Sequence, residues 1–315
     1  MSDVTISTSE PVDGAAMSTL DRRAVGPPPT RSATGGRPCG QARVVTVHGQ
    51  EIRVAVRPGS GEGTALLLCS GIGVGFEALQ PFVDALDPAT EVIRFDVPGA
   101  GGSPAGPLPY GFPIIAYLVT RLLSHLGYSR VDVLGLSWGG ALAQQLAIQH
   151  PALVRKLVLV STGTGALMVP AHPRVLRHVV NPPRPRDPAD AAHVAATLYG
   201  AASRGGDHAD HIKEILGELT RIGSRIGHLH QLLAVVGWTS LPWLPLIRQP
   251  TLILAGDNDP FVPLVNARIM KRLLPRAELH VYDGGHVALV TEADVLAPVV
   301  ARFLTSTSRQ RSAWA

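Results

Sequence analysis

The chain has little cysteine and no long uninterrupted apolar run. Its 315 residues include two cysteines, Cys39 and Cys69, too few for a disulfide framework or a zinc site built on cysteine. The longest apolar stretch, residues 232–247, is broken by Pro242 and Pro245 and is shorter than the roughly 20 residues that span a bilayer. The sequence therefore predicts neither a secreted disulfide-rich protein nor a transmembrane helix.

Charge is also scarce, and its balance does not point to nucleic acid. Charged residues make up 17% of the chain, and part of the formal net charge of +4 lies in the terminal segments. The first seven residues, MSDVTIS, contain no basic and no apolar region, unlike a secretory signal. Apolar residues make up 45%, enough for a large core. We expect a folded cytoplasmic protein with no nucleic-acid partner.

The sequence pattern divides the chain into a leader, a core, an insertion and a tail. Residues 1–40 are rich in Ser, Thr, Pro and Gly, which predicts a disordered leader. In residues 41–162 and 249–308, a predicted hairpin and short apolar runs alternate with segments of helical length. This pattern is typical of an α/β fold with a mostly parallel, eight-stranded sheet and helices on both faces. Residues 163–248 interrupt it and predict a helical cap, and residues 309–315 form a tail.

Residues 131–143, VDVLGLSWGGALA, combine an apolar run, a G-x-S-x-G motif and a helix start made of small residues. This context predicts a sharp strand-to-helix turn that exposes Ser137, because Gly135 and Gly139 remove side chains that would clash across it. A serine hydroxyl needs a base to accept its proton and a carboxylate to orient that base. We therefore predict that Ser137 is the nucleophile of a catalytic triad.

The base and the acid are expected in loops after later strands. Of the twelve histidines, His286 alone follows the last predicted strand in a glycine-rich loop, so it is the predicted base. After the strand that follows the cap, Asp257 and Asp259 compete for the role of the acid. We favour Asp259, which lies further into the loop and has more freedom to reach an imidazole. Asp257 is the alternative, and Asp283 is assigned to the turn before the histidine.

An oxyanion that forms on the attacked carbonyl needs two backbone N–H donors. The N–H of Trp138, directly after the nucleophile, is one expected donor. The other is expected from the glycine-rich loop SGIGVG at residues 70–75, where Ile72 is best placed. A dinucleotide-binding interpretation of this loop fails, because the G-x-G-x-x-G motif would require glycine where Phe76 stands.

Four cap histidines suggest a metal site only superficially. His208 and His211 have the spacing of a ligand pair and nearby carboxylates, but a solvated helix face is the interpretation we favour. We interpret His228 and His230 in the same way. No metal site is predicted, and the serine mechanism requires no organic cofactor.

Over about residues 43–305 the chain resembles the α/β-hydrolase superfamily and, within it, the intracellular depolymerases of medium-chain-length poly(3-hydroxyalkanoates). The similarity lies in AVRPG at 55–59, GIG at 71–73, FDVPG at 95–99, SWGGALAQQ at 137–145, GWTS at 237–240 and QPTLILAGD at 249–257. The resemblance implies the α/β-hydrolase fold. It also implies a triad at Ser137, Asp259 and His286.

Together, the residues and the resemblance predict a serine esterase that cleaves an aliphatic polyester through an acyl-enzyme. The apolar cap sequence predicts a pocket for the acyl chain, with Trp238 and Trp243 as substrate-binding residues. An esterase or lactonase of small soluble esters is an alternative, because one fold serves many reactions. A non-catalytic protein that docks on granules or lipid through residues 232–247 is a second alternative. The favoured function places the protein in the cytoplasm, in contact with storage granules.

Overall fold

The computed structural model describes residues 40–180 and 224–306. The predicted leader, apart from Gly40, and the tail at 309–315 lie outside these ranges, as do His208 and His211. The predicted cap is therefore described at its two ends only. Within the described ranges, no helix combines the length and the apolar character needed to cross a bilayer.

Eight strands form one sheet. Strands β1 to β8 are Arg43–Val47, Gln50–Arg57, Leu66–Cys69, Val92–Phe95, Val131–Leu136, Val154–Val160, Thr251–Gly256 and Ala277–Tyr282. In space they follow the order β1-β2-β4-β3-β5-β6-β7-β8, and β2 is antiparallel to both of its neighbours. The remaining pairs are parallel, so the predicted mostly parallel, eight-stranded sheet is confirmed.

Helices cover both faces of this sheet. Helices α1 to α8 are Gln80–Ala85, Phe112–His125, Trp138–Gln149, Pro173–Val180, Arg225–Val235, Leu264–Leu273, Ala288–Thr291 and Ala293–Thr305, and two 3₁₀ helices lie at Phe76–Leu79 and Leu241–Leu246. Alternate residues of β3 enter opposite cores: Leu67 packs with α2 and α3, whereas Leu66 and Leu68 pack with α1 and α8. Burial on both faces explains why these strands are continuous apolar runs.

The hairpin of β1 and β2 follows from its two-residue connection. Both His48 and Gly49 have positive φ, at 48° and 80°, while Val47 pairs with Gln50. Positive φ at both central positions is the geometry of a type I′ turn, whose twist matches that of antiparallel strands. The predicted hairpin at the start of the core is confirmed.

The two ends of the cap meet in a short paired segment, residues 164–166 and 238–240, which we call the neck. Gly165 and Thr239 form an antiparallel bridge. The Ala166 N–H donates to the Trp238 carbonyl at 2.8 Å, and the Ser240 N–H donates to the Thr164 carbonyl at 3.1 Å. The described residues at the two ends of the predicted cap therefore lie next to each other.

Helix α3 fixes the neck through two glutamines. The Ser240 hydroxyl donates to Gln144 Oε1 at 2.6 Å, and Gln144 Nε2 donates to the Gly163 carbonyl at 3.0 Å. The indole N–H of Trp238 donates to Gln145 Oε1 at 2.8 Å. The GWTS segment and the two glutamines that follow the nucleophile motif thus form one hydrogen-bonded unit.

The expectation that His228 and His230 lie on a solvated face is wrong, because both are buried, at 8% and 6% exposed. Helix α5 carries them, and it packs against the loop after β4 where Gly227 meets Gly99 without room for a side chain. The ring of His230 stands edge-on to Tyr110, with centroids 5.9 Å apart. This contact between two glycines brings the helix close enough to enclose both imidazoles.

Candidate active site

Ser137 stands between β5 and α3 in a strained turn. Its φ of 54° and ψ of −117° are uncommon for a residue with a side chain, and they lift the hydroxyl out of the turn. A Cβ on Gly135 would lie 2.3 Å from the Gly139 carbonyl oxygen, and one on Gly139 would lie 2.1 Å from the Cys69 carbonyl oxygen. Both glycines of the G-x-S-x-G motif are therefore required by packing.

The backbone of Ser137 is held by neighbouring elements. Its N–H donates to the Val160 carbonyl of β6 at 2.9 Å. Its carbonyl accepts from the Gly140 N–H at 2.9 Å and from Thr162 Oγ1 at 2.7 Å. These bonds offset the cost of the unusual dihedrals.

Ser137, His286 and Asp259 form one hydrogen-bonded chain. Ser137 Oγ lies 2.9 Å from His286 Nε2, and His286 Nδ1 lies 2.8 Å from Asp259 Oδ2. Because an ionised carboxylate only accepts, Nδ1 carries the proton, and a neutral imidazole then has Nε2 free to accept from the serine. The histidine is 7% and the aspartate 8% exposed, whereas the serine is half-buried. The structure brings together the three residues that the sequence named.

The loop after β7 treats its two aspartates differently. Asp259 Oδ1 accepts the backbone N–H groups of Phe261 and Val262, each at 2.9 Å, which fixes the carboxylate towards the imidazole. Asp257 is exposed and accepts from the Gly284 N–H at 3.3 Å, in the turn before the histidine. Geometry therefore places Asp259 at His286 and Asp257 in a turn.

The loop with the second expected oxyanion donor lies beside the serine. A Cβ on Gly71 would lie 3.9 Å from Ser137 Cβ. Ile72 and Gly73 are the central residues of a turn, with a φ of 77° at Gly73. Trp138 is the first residue of α3, and among the described residues neither its backbone N–H nor that of Ile72 has an acceptor. The assignment of these two groups as oxyanion donors stays a prediction.

Sequence reasoning missed Gln231, a fully buried residue of α5. Its Oε1 accepts the Gly73 N–H at 2.7 Å, and its backbone carbonyl accepts the indole N–H of Trp138 at 2.9 Å. One local signal was available. Gly227 lies inside the same helix, and a glycine inside a helix indicates that another segment approaches its backbone closely. Nothing in the sequence near Gln231 identifies its partners, which are 158 and 93 positions away.

The two tryptophans expected to bind substrate have different positions. The indole of Trp238 is half-buried in the neck, with its ring centroid 4.6 Å from that of Phe112. Trp243 is 51% exposed. A surface groove of about 500 Å³ is lined by Pro109, Tyr110, Gly111, Phe112, Pro113, Leu233, Ala234, Val236, Gly237 and Trp238. The substrate-binding role of both tryptophans stays a prediction.

A buried carboxylate, Asp96, connects the loops after β3 and β4. Asp96 is 1% exposed and accepts from the Phe76 N–H at 2.7 Å, the Gly102 N–H at 2.8 Å and Arg53 Nη1 at 3.1 Å. Burial raises the pKa of Asp96, although these donors act in the opposite direction. These contacts give the FDVPG segment a structural role.

Neither the buried Cys69 nor a cluster of metal-binding side chains provides a second reactive site in the described part of the chain. Burial raises the pKa of the Cys69 thiol, which disfavours the thiolate needed for nucleophilic attack. Within residues 40–180 and 224–306, no group of three or more His, Cys, Asp and Glu side chains is placed to hold a metal ion.

Comparison with known proteins agrees with the fold. The family model for the alpha/beta hydrolase fold matches residues 64–198 and 227–293, more than half of the chain. The chain belongs to the α/β-hydrolase family. This hydrolase is 46% identical over 272 residues to a poly(3-hydroxyalkanoate) depolymerase from Ectopseudomonas oleovorans, across 86% of this chain and 94% of the relative.

Two solved structures show the same architecture. The crystal structure of a hydrolase from Pseudomonas aeruginosa PA01 has a TM-score of 0.69 and 23% identity, and the match covers 85% of this chain and 99% of that one. An enol-lactonase from Burkholderia xenovorans LB400 also has a TM-score of 0.69 and 23% identity, with 84% and 100% covered. At this identity the likeness concerns the fold alone. The resemblance noted in the sequence is confirmed by the family model and by the depolymerase from Ectopseudomonas oleovorans.

Proposed function

We propose that this α/β-hydrolase is a serine esterase that cleaves the ester bonds of a poly(3-hydroxyalkanoate) through an acyl-enzyme. The hydrogen-bonded chain of Ser137, His286 and Asp259 is the observation that carries the mechanism. The similarity to a relative with the name poly(3-hydroxyalkanoate) depolymerase supports the substrate class. The proposal includes a location at polyester storage granules inside the cell.

In the first half-reaction, Ser137 Oγ attacks the ester carbonyl carbon while its proton moves to His286 Nε2, 2.9 Å away. Asp259, 2.8 Å from Nδ1, stabilises the imidazolium that results. The carbonyl oxygen becomes an oxyanion, for which we propose the backbone N–H groups of Ile72 and Trp138 as donors. When the tetrahedral intermediate collapses, His286 returns the proton to the alkoxide, and the alcohol end of the polymer leaves.

In the second half-reaction, water attacks the acyl carbon on Ser137. His286 Nε2 accepts a proton from this water, and the same two N–H groups stabilise the second oxyanion. Collapse releases the acid end of the product and restores the Ser137 hydroxyl with the proton held by the imidazole. Each half-reaction thus starts and ends with a neutral histidine.

We further propose a preference for medium-chain monomers, with Trp238 and Trp243 among the substrate contacts. The ten residues that line the surface groove carry no charge, and Leu233, Val236 and Trp243 expose large apolar side chains nearby in the chain, at 45%, 75% and 51%. Each additional methylene buried against apolar surface contributes about 0.8 kcal/mol to binding. A longer aliphatic side chain therefore gains more from this part of the cap than a methyl group does.

The experiment compares hydrolysis of amorphous granules of a 3-hydroxyoctanoate polyester and of 3-hydroxybutyrate polyester, together with soluble octanoyl and acetyl esters. The wild-type protein is tested beside Ser137→Ala and a matched control, Ser124→Ala, which changes an exposed serine of α2. We expect hydrolysis by the wild type and the control, higher specificity constants on the longer substrates, and almost none by Ser137→Ala.

The possible outcomes separate the parts of this proposal. Normal turnover by a folded Ser137→Ala protein would exclude the serine mechanism. Activity confined to soluble esters would instead favour a general esterase or lactonase. Equal or higher activity on the 3-hydroxybutyrate polymer would remove the medium-chain preference alone.

A further inference from the structure

We infer that Gln231 is a positioning residue that holds the glycine-rich loop at 70–75 in its catalytic conformation, and so makes the oxyanion site depend on cap helix α5. The inference rests on the proposed serine mechanism and adds to it a residue outside the triad. Gln231 lies on the cap side of the molecule, whereas its side chain bonds to the core loop that contains Ile72.

The amide of Gln231 has one orientation that fits its surroundings. The residue is fully buried, and the Gly73 N–H, a donor, lies 2.7 Å from Oε1. The oxygen must therefore face the loop, since the amide nitrogen cannot accept a hydrogen bond. Nε2 then has no hydrogen-bond partner within the described residues. Burying Nε2 without an acceptor costs free energy, and the hydrogen bond from the Gly73 N–H to Oε1 offsets part of that cost.

The bond fixes a peptide unit that could otherwise rotate. Ile72 and Gly73 are the central pair of a turn, and the φ of 77° at Gly73 is what a type II turn requires at its second central residue. Rotation of the peptide between them would convert the turn to type I and point the Gly73 N–H away from Gln231. The Ile72 N–H belongs to the preceding peptide and does not turn in this rotation, but the rotation releases the loop from α5, so that the position of the Ile72 N–H relative to Ser137 is no longer fixed. Gln231 opposes this rotation by supplying the only acceptor that the Gly73 N–H has among the described residues.

The same residue also contacts the other donor-bearing element. The backbone carbonyl of Gln231 accepts the indole N–H of Trp138 at 2.9 Å. Helix α5 is itself seated by the contact of Gly227 with Gly99, which leaves no space for it to approach further. A single helix position thus sets the surroundings of both expected oxyanion donors, Ile72 and Trp138.

The central test replaces Gln231 with methionine, which keeps the length and burial of the side chain and removes the acceptor. We expect kcat on a soluble ester to fall by about tenfold to hundredfold with KM changed little, because a misplaced donor weakens binding of the transition state and not of the substrate. A trifluoromethyl ketone, which forms an oxyanion on Ser137, should lose affinity by the same factor as kcat/KM. The matching alcohol, which forms no oxyanion, should bind as it does to the wild type.

Two further variants separate positioning from folding. Gln249→Met is the matched control, because Gln249 is also a buried glutamine, but its amide donates to the Ala147 and Pro151 carbonyls, behind the nucleophile helix. It should alter stability without altering kcat or the inhibitor. Gln231→Glu retains an acceptor in either protonation state and should restore most of the activity lost in Gln231→Met. If the methionine variant does not fold, Gln231→Asn withdraws the acceptor by one methylene and takes its place.

An unchanged kcat in folded Gln231→Met or Gln231→Asn would overturn the inference, and so would an equal loss of affinity for the ketone and the alcohol. Failure of the proposed function has a different signature, since Ser137→Ala would then retain the wild-type activity. If Ser137→Ala is inactive while Gln231→Met is normal, the serine mechanism stands and the role of Gln231 falls.

Discussion

Gly227 of helix α5 lies against Gly99 of the loop after β4 with no space for a side chain at either position. A Cβ on Gly227 would lie 2.0 Å from the Gly99 carbonyl oxygen, and a Cβ on Gly99 would lie 2.3 Å from Gly227 Cα. Both obstacles are backbone atoms, which cannot rotate away as a side chain can. The contact therefore sets the distance between the cap helix and the core.

Replacing Gly227 with alanine should destabilise the protein. In an unconstrained helix the same change would stabilise by about 1 kcal/mol, so a loss has the opposite sign from helix propensity. We expect a loss of about 1–3 kcal/mol in the free energy of unfolding, typical of overpacking, measured by urea denaturation. Gly63→Ala is the control, because a Cβ there meets no atom within 4 Å. A more stable Gly227→Ala protein would show that α5 moves freely over Gly99.

Asp259→Asn should reduce kcat/KM far more than Asp257→Asn. The amide at 259 cannot hold the imidazole in the tautomer with a proton on Nδ1, and in serine triads this change costs about 10⁴ in turnover. Asp257 is exposed and bonds to the Gly284 N–H, so its amide should leave the rate nearly unchanged. Steady-state kinetics of the two variants on one soluble ester provide the measurement. A reversed order of severity would move the acid to Asp257.

The protein should lose stability at alkaline pH, and Tyr282 should account for part of the loss. Burial raises the pKa of Tyr282 above its ordinary value of 10.0, while its hydroxyl is 3.0 Å from Ser161 Oγ. Above about pH 10 the unfolded chain releases this proton and the folded chain keeps it, so the free energy of unfolding decreases as pH rises. Tyr282→Phe should reduce the slope by at most about 1.4 kcal/mol per pH unit.

The control for the alkaline measurement is Tyr117→Phe, which changes an exposed tyrosine. Urea denaturation of the wild type and both variants at several pH values from 8 to about 11 gives the slopes. Equal slopes for the wild type and Tyr282→Phe would contradict the linkage to Tyr282.

Lys156→Met should destabilise the fold without affecting catalysis. The Lys156 ammonium, in β6, is buried and donates to the carbonyl oxygens of Phe303 at 2.7 Å, Leu304 at 2.9 Å and Ser306 at 2.7 Å, at the end of α8. These are carbonyls that a helix cannot satisfy internally. We expect a loss of roughly 2–3 kcal/mol in thermal or urea unfolding. Arg121→Met, at an exposed position of α2, should change it by less than about 0.5 kcal/mol. Loss of kcat in folded Lys156→Met would contradict a purely structural role.

The sequence was sufficient where a structure depends on neighbouring residues. The elbow at Ser137 could be predicted because its apolar run, its glycines and its helix start are consecutive. The position of His286 followed from its place after the last strand. The preference for Asp259 over Asp257 rested on loop length, and the structure places Asp259 at the imidazole.

Features that depend on contacts between distant segments could not be predicted in this way. The burial of His228 and His230 follows from the meeting of α5 with Gly99, more than 120 positions earlier in the chain. Polar residues on a short helix are expected to face water, because the local pattern carries no information about what will cover them. The bond from the indole N–H of Trp238 to Gln145 in the neck was likewise not predicted, because the two residues are 93 positions apart.

The neck joins the two ends of the predicted cap, so the cap is closed at its base whatever its length. Gly165 and Thr239 are paired, and Gln144 and Gln145 of α3 hold both sides of the junction, so the chain between them starts and finishes at adjacent points. Because the ends are already joined, a longer or shorter insert adds little closure entropy: doubling the length of a flexible loop costs only about 0.6 kcal/mol. The length and sequence between Gly165 and Thr239 can therefore diverge at little cost in chain closure, provided that the contacts of α5 with Gly73 and Gly99 are kept.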